Sequence, residues 1–272
     1  RGLGDVYKRQ TIDSIIKSNL KNSGLSISPV ADKGTLIRRL SLDLLGLPPE
    51  PEKISSFESD KSQTAYEKLV EELLNSPHFG ERWARHWLDG ARYADSDGYE
   101  KDNNRPNAWR WRKWVIDSIN ADMPFDQFTL EQIAGDLIPN ASIEQKVAAG
   151  YNRLNMKSTE FGIQDKEYLS KYAADRVRTT ATTWLGATLG CAECHDHKFD
   201  PFSIRDFYSF AAFFADIKSV GYYPDAQKKG WGETIEVIDR KNTVKIAELE
   251  KTLKSKGQSD ILKDSRQEGN TW

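Results

Sequence analysis

The two cysteines of the chain lie in one pentapeptide, Cys191-Ala192-Glu193-Cys194-His195. This spacing is the attachment pattern of haem c, in which two thiols add to the two vinyl groups on one porphyrin edge. The histidine that follows is then held beneath the iron as its proximal ligand. The sequence therefore predicts haem c as a cofactor bound by Cys191, Cys194 and His195.

Three alternatives to haem remain open from the residues alone. A thioredoxin-like thiol pair needs a strand followed by a helix, and the sequence around the pentapeptide has a helical pattern. A structural metal site could use Cys191, Cys194, His195 and His197, although three of these lie within four positions. The two cysteines could also simply be buried.

The sixth ligand of a haem iron would come from another part of the chain. Two residues span only about 7 Å, so His197 is too close to His195 to pass around the porphyrin. Met156, in an irregular stretch, is our candidate distal ligand, ahead of Met123, His78 and His86. A methionine ligand raises the potential and favours electron transfer.

Three polar residues directly after the pentapeptide are candidate catalytic groups: Asp196, His197 and Asp200. In a catalytic site His197 would move protons near neutral pH, which is the range in which histidine changes charge. The alternative is that His197 bonds to the backbone and shapes the loop.

An acidic stretch contains Asp95, Asp97, Glu100 and Asp102, with Gly98 permitting a sharp turn. Oxygen ligands at this density predict a calcium or substrate loop, although the order differs from the helix–loop–helix calcium motif. The alternative is a solvated loop whose aspartates cap helices.

A nearby stripe interleaves tryptophans with basic residues: Trp109, Arg110, Trp111, Arg112, Lys113 and Trp114. Such a stripe could stack on sugars. This leads to an alternative function as a carbohydrate-binding or degradative module, although helical spacing also suits core packing.

Composition limits the possible partners. The chain has 39 basic and 41 acidic residues, a formal net charge of −2, which argues against nucleic acid as a partner. The sequence has no apolar run of 18 residues that would predict a transmembrane segment.

Helical periodicity dominates the chain, so we predict a mainly α protein, an irregular multi-helix bundle with long loops. Predicted starts include Asp32, Thr64 and Ser203, and one helix is expected from about Lys166 to Leu189. We also expect Trp83, His86, Trp87 and Ala91 to share one helix face. We expect the helical domain to span residues 11–217. Residues 218–272 are expected to form a linker and the start of a coiled coil, because Ile246, Leu249 and Leu253 are spaced three and four residues apart.

Residues 1–10, RGLGDVYKRQ, match the translation of a transposase sequencing-adapter end. We interpret them as an adapter-derived artefact and expect the chain to be an internal fragment of a longer protein.

Several segments together resemble the planctomycete cytochrome-type domain of unknown function over about residues 11–217. They are LIRRLSLDLLGLPPEPE, HFGERWARHWLDGARYADSDGYEKD, NAWRWRKWVIDSINADMPFDQF, EQIAGDLIP, DRVRTTATTWLGATLGCAECHDHKFDP and FYSFAAFF. One departure is Glu160-Phe161-Gly162, where the family pattern has Glu-Gly-Gly. The resemblance implies an exported protein, periplasmic or at the cell surface, with a neighbouring cytochrome c domain and a further C-terminal domain. The expected function is electron transfer or redox catalysis; a scaffold with a Cys/His metal site is a further alternative.

Overall fold

The structure, a computed structural model, describes residues 12–98, 102–158, 164–217, 235 and 240–255. These residues form helices joined by irregular segments, and the pairing of extended backbone seen among them is one isolated bridge between Ser96 and Asn104. The predicted mainly α fold is confirmed.

The α-helices of the described residues are numbered in chain order. They are α1 Ile12–Asn22, α2 Lys33–Leu44, α3 Pro51–Ser59, α4 Ala65–Leu74, α5 Pro77–Ala91, α6 Trp109–Asn120, α7 Phe125–Ala134, α8 Ile143–Ala148, α9 Asp165–Thr180, α10 Ile204–Ala212 and α11 Arg240–Ser255. Short 3₁₀ turns occupy Gly135–Leu137, Ala149–Arg153 and Leu189–Glu193, and a π turn occupies Ala181–Leu185.

The chain divides into two compact units, and the first ends at Asn75. Its core comes from α2, α3 and α4 and consists of Ile37, Phe57, Ala65, Leu69 and Leu73. The predicted start at Asp32 is confirmed, because its side chain accepts from the Thr35 amide at 2.8 Å. Helix α1 buries no residue, and our sequence patterns did not predict it.

The second unit begins at Ser76, and its larger core is a Trp-rich cluster built mainly by α5 to α8 and the following 3₁₀ turn. The buried members are Ala84, Ala91, Trp111, Trp114, Val115, Phe128, Val147, Ala148, Tyr151 and Leu154. The predicted shared face of α5 is only partly buried. Ala91 is buried and Trp87 packs against the Trp-rich cluster, whereas Trp83 is 42% exposed and His86 is also exposed.

A separate α9–α10 cluster in the same unit joins α9, the turn Leu189–Glu193 and α10. Its buried members are Ala174, Val177, Ala181, Leu189, Ala192, Phe207 and Phe214. This cluster holds the cysteine-bearing turn.

The predicted helix through Leu189 ends earlier than expected. Regular α9 stops at Thr180 and passes into the π turn, after which Gly186 adopts a φ of +60°. In the π turn Trp184 donates its indole N–H to Thr129 Oγ at 2.9 Å and packs edge-on against Trp87. These contacts fix the turn, and Gly186 then redirects the chain, since a left-handed residue ends a helix.

Helix α11 contains the heptad positions Ile246 and Leu249, which are 47% and 53% exposed. Its pairing into a coiled coil stays a prediction, and so do the predicted domain limits. Residues 1–10 and almost all of 218–239 lie outside the described residues. Within the described part, no helix combines the length and the apolar character needed to cross a membrane.

Candidate functional site

The 3₁₀ turn Leu189–Glu193 sorts its residues onto separate faces. A 3₁₀ helix has three residues per turn, so positions three apart point the same way. Leu189 and Ala192 are 4% and 0% exposed and face the α9–α10 cluster. Cys191 and Cys194, one position before and two positions after Ala192, are both exposed free thiols. Burial of Leu189 and Ala192 therefore directs the two thiols outward.

The third face of this turn packs against Arg178 of α9. The Arg178 guanidinium forms a salt bridge with Glu193. Gly190 lies against the same side chain, since a Cβ there would be 3.0 Å from Arg178 Cγ. Tyr208 of α10 donates its hydroxyl to the Glu193 carbonyl at 3.2 Å. The charged residue between the two cysteines is thus held by α9 and α10.

His195 is exposed, and its ring has a defined orientation. Nδ1 lies 2.8 Å from the carbonyl oxygen of Asp196. A carbonyl can only accept, so Nδ1 carries a proton, and in the neutral ring Nε2 is then the unprotonated nitrogen. Histidines that bind metals commonly donate their second N–H to a carbonyl in this way. Two outward thiols and this tautomer fit the donor set that haem c attachment requires.

His197 lies in the loop after the pentapeptide, and both of its ring nitrogens are used within that region. Nδ1 accepts from the amides of Phe199 at 3.2 Å and Asp200 at 2.8 Å. The ring proton is therefore on Nε2, which lies 2.9 Å from Thr188 Oγ. His197 thus connects the segment before the cysteine turn with the loop after it.

The other two candidate catalytic residues also shape this loop. Asp196 accepts from the amide of Ile204, the first residue of α10, at 2.8 Å. The Asp200 carbonyl accepts from the Phe202 amide at 2.8 Å. These contacts favour the loop-shaping alternative for His197 and its neighbours, and a catalytic role for Asp196, His197 and Asp200 stays a prediction.

The described cysteine and histidine side chains of this region do not come together as a metal site. No three His, Cys, Asp or Glu side chains among them lie close enough to hold one metal ion. Cys191, Cys194, His195 and His197 therefore do not converge on a tetrahedral site.

The described carboxylates of the acidic loop accept hydrogen bonds from other groups of the protein. Asp97 is buried and accepts from Arg105 Nε at 3.2 Å. Asp95 accepts from the Tyr93 hydroxyl and from Arg112. Asp102 accepts from the Gly98 amide at 2.7 Å, and hydrogen bonds to Ser96 and this amide lower its pKa. Glu100 lies outside the described residues, and calcium binding by this loop stays a prediction.

The Trp/Arg stripe does not form an open stacking surface. Trp111 is 0% exposed, and its indole donates to the Ala148 carbonyl at 3.1 Å. Trp114 is 7% exposed and stacks on Phe128. Core packing therefore accounts for both tryptophans, while Trp109 lies partly exposed against Arg110.

A cavity of 460 Å³ is lined both by a residue next to the acidic loop and by a residue of the cysteine turn. Met156 and Glu193 both line it, and Met156 Cγ lies 3.4 Å from a Cβ built on Gly98. Met156 is half exposed. Its role as a distal ligand stays a prediction.

The other methionine and histidines that we considered have different surroundings. Met123 packs against the Trp-rich cluster. His78 pairs with Glu81 at 2.7 Å, and the exposed His86 lies against Trp83. These contacts leave Met156 as our candidate.

Sequence patterns missed one residue of this region, Lys157. Its amide donates to the Asp97 carbonyl at 3.1 Å, and its side chain lines the same cavity although the residue is only 3% exposed. A lysine in a polar stretch carries no local signal of burial. Asp175 of α9, which also lines this cavity, accepts from Arg92 Nη2 at 2.8 Å.

Comparison with known proteins gave one kind of match. No curated protein and no solved structure matches the chain significantly. The model of the family described as PSCyt2, Protein of unknown function (DUF1549), matches residues 11–219. This match covers more than half of the sequence, so the chain belongs to the DUF1549 family of proteins of unknown function.

Proposed function

We propose that the chain is a c-type haem-binding domain that transfers electrons within a larger exported protein. Cys191 and Cys194 would hold the haem through thioether bonds, and His195 Nε2 would bind the iron. The observation that carries this proposal is the arrangement of the turn: two outward thiols followed by a histidine whose Nδ1–H is anchored on the Asp196 carbonyl. A haem bound there would supply reversible one-electron chemistry at iron.

The protein's own contribution is to hold these three residues in place. Leu189 and Ala192 fix the turn in the α9–α10 cluster, and Arg178 binds Glu193. The Asp196 carbonyl fixes the His195 tautomer, which leaves Nε2 able to donate its lone pair. The exposure of the thiols leaves them open to an attachment apparatus.

Covalent haem is the direct test. The full chain should be exported behind a secretion leader in cells that carry a haem c maturation system. We expect a haem-staining band on a denaturing gel, which disappears in the Cys191→Ala/Cys194→Ala double variant. A wild-type chain that carries no covalent haem under these conditions overturns the proposal.

Axial ligation is tested with His195 and a matched surface histidine. His195→Ala should change the visible spectra of both oxidation states, whereas His78→Ala should not, because the His78 ring is exposed and pairs with an exposed glutamate. An unchanged His195→Ala spectrum would contradict the proposed ligand.

Met156 as the distal ligand has a separate signature. Met156→Leu should lower the midpoint potential, since a thioether ligand stabilises ferrous haem. An unchanged potential and spectrum would exclude Met156 and leave covalent attachment unaffected.

In the proposed function, this domain would exchange electrons with the neighbouring cytochrome c domain that the family resemblance implies.

A further inference from the structure

Five oxidisable aromatic rings follow one another through the Trp-rich cluster. We call this series the Trp/Tyr array, and its members in order are Trp87, Trp184, Tyr151, Trp111 and Tyr93. Successive ring centroids are 5.0, 4.9, 6.3 and 5.9 Å apart. Rings in direct contact have centroids about 4.5–7 Å apart, so each member touches the next. An electron can therefore pass along the array in short steps.

The array is partly exposed at its two ends and buried in its middle. Trp87, Trp184 and Tyr93 are partly buried side chains at the edge of the Trp-rich cluster. Tyr151 and Trp111 are 4% and 0% exposed. The array thus links two accessible ends through the interior of the protein.

The three indoles of the array donate their N–H groups to neutral oxygen atoms. Trp87 donates to Gln132 Oε1 at 2.8 Å, and Trp184 donates to Thr129 Oγ at 2.9 Å. Trp111 donates to a backbone carbonyl at 3.1 Å. An indole that loses an electron becomes acidic, but amide, hydroxyl and carbonyl oxygens are weak proton acceptors. An oxidised indole here therefore keeps its proton and remains a strong oxidant.

Tyr93 differs from the indoles because it donates to a carboxylate. Its hydroxyl donates to Asp95, which also accepts from Arg112 at 3.2 Å. Burial and the hydrogen bond to Asp95 raise the pKa of Tyr93, so the phenol keeps its proton before oxidation. A phenol that loses an electron becomes a strong acid, and Asp95 is placed to take the proton. Electron loss and proton loss can thus be coupled at this end of the array.

Tyr151, the other phenol of the array, has different surroundings. Burial raises its pKa, and its hydroxyl lies near those of Thr180 and Thr183. Asp175 also raises the pKa of Tyr151, but both Asp175 oxygens accept from Arg92. Tyr151 is therefore a bridge between Trp184 and Trp111 rather than the end of the path.

We propose that the Trp/Tyr array carries oxidising equivalents through the domain and delivers them to Tyr93. A one-electron oxidising radical takes an electron from Trp87 or Trp184 and is itself reduced. The electron is replaced along the array from Tyr93, whose proton passes to Asp95, and a neutral tyrosyl radical remains. A small thiol then gives this radical one hydrogen atom and becomes a thiyl radical. The array thus moves an oxidising charge from the core to the surface, and this activity does not require haem.

Pulse radiolysis with the azidyl radical, which oxidises indoles, tests the direction of transfer. The full chain carries Cys191→Ala/Cys194→Ala, which removes the two oxidisable thiols and any haem attachment, so the outcome is independent of the proposed haem function. We expect the indolyl absorption to decay while the tyrosyl absorption rises, at a first-order rate that does not depend on protein concentration. Rapidly frozen samples should show a tyrosyl signal by electron paramagnetic resonance.

The end of the path is tested with Tyr93 and its proton acceptor. Tyr93→Phe should abolish this fast tyrosyl phase, whereas Tyr208→Phe, at a half-exposed tyrosine of α10, should retain it. Asp95→Asn should slow the phase by at least about tenfold, because a positioned proton acceptor is lost. Asp117→Asn, at an exposed carboxylate that pairs with a lysine, should leave the rate unchanged.

The route through the interior is tested with Trp184→Phe, which keeps an aromatic ring that is much harder to oxidise. The yield of the Tyr93 radical should fall, whereas Trp109→Phe, at a partly exposed indole outside the array, should leave the yield unchanged. Asp95 is exposed, so Asp95→Asn tests the proposal even if Trp184→Phe does not fold.

Two results overturn the proposal. An unchanged fast phase in Tyr93→Phe or Asp95→Asn means that the radical forms elsewhere or without the carboxylate. Equal yields of the Tyr93 radical with and without Trp184 mean that the oxidant reaches Tyr93 directly from solvent.

Discussion

Replacing Lys157 with methionine removes a buried ammonium while preserving an unbranched side chain. The residue is 3% exposed and lies beside Asp97, Arg105 and Arg153. Burial lowers the pKa of Lys157 from 10.5 to about 8. The two arginines add to this lowering, whereas Asp97 opposes it. The folded state therefore disfavours the charged form of this side chain.

The sign of the pH dependence follows from proton uptake. Between the folded and unfolded pKa values, the unfolded chain binds more protons at Lys157 than the folded chain does, so stability rises with pH. At 1.36 kcal/mol per pKa unit, the full difference corresponds to about 3 kcal/mol. Solvent in the cavity screens part of this charge, so we expect wild-type stability to gain about 1 to 2 kcal/mol relative to Lys157→Met between about pH 7 and pH 9.5.

The assay is urea unfolding of both proteins at these two pH values. Higher pH is avoided because burial raises the pKa of Tyr151 and Tyr172, so their titration in the unfolded chain would reduce stability. At pH 7 Lys157→Met should be the more stable protein. A stability difference between the two proteins that does not change with pH would refute this account of Lys157, and Lys146→Met serves as the exposed control.

Three other substitutions have predicted effects on the free energy of unfolding, each measured by urea unfolding at neutral pH. Asp97→Asn should destabilise by about 3 kcal/mol, because Arg105 would keep a buried charge without its carboxylate. Gly135→Ala should destabilise by about 2 kcal/mol or more, since the new Cβ would lie 2.2 Å from the Gln145 carbonyl oxygen. His197→Ala removes three hydrogen bonds and should cost about 2 kcal/mol, with faster proteolysis of the surrounding loop.

Matched controls separate these effects from general sensitivity to substitution. Gly90→Ala, where the nearest atom to the new Cβ is at 3.7 Å, should be neutral or stabilising within its helix. His78→Ala should leave stability within about 0.5 kcal/mol of wild type, because its contact is an exposed pair. If Gly135→Ala or His197→Ala behaves like its control, the packing or hydrogen-bond argument at that residue is wrong.

Local signals in the sequence were sufficient for most helices. Asp32 accepts the Thr35 amide, and Ser203 forms a capping box with Asp206, as helix-start patterns predict. These signals work because the interacting atoms lie within one turn of chain. Helix α1 was missed although Ile12, Ile15 and Ile16 have helical spacing, and in the structure these side chains are exposed.

Features that depend on distant contacts could not be predicted. On α5, the sequence suggested a face containing Trp83, yet the buried face includes Gly80, whose amide donates to Asn120 Oδ1 at 2.8 Å. A Cβ on Gly80 would lie 2.6 Å from that side chain, so small residues permit the approach of α6. Contact between helices, rather than periodicity alone, decided this face.

In the candidate site too, local sequence signals and tertiary contacts determine different features. Cys191, Cys194 and His195 were recognised as a pattern of types and spacing, whereas the outward direction of the thiols depends on burial of Ala192. The charge environment of Lys157 includes Asp97, which the chain brings near it from another segment. Sequence therefore located the reactive groups, and tertiary packing determined their exposure and charge environment.

The separation of the Trp-rich cluster from the α9–α10 cluster has a consequence for hydrogen exchange. Regions with distinct buried clusters can open as separate cooperative units. The amides of Leu189–Glu193 depend on the smaller α9–α10 cluster, while those of α6 lie in the larger one. Partial opening of the smaller cluster would loosen the turn that carries the two exposed thiols without unfolding α6, so the amides of this turn should exchange faster than those of α6.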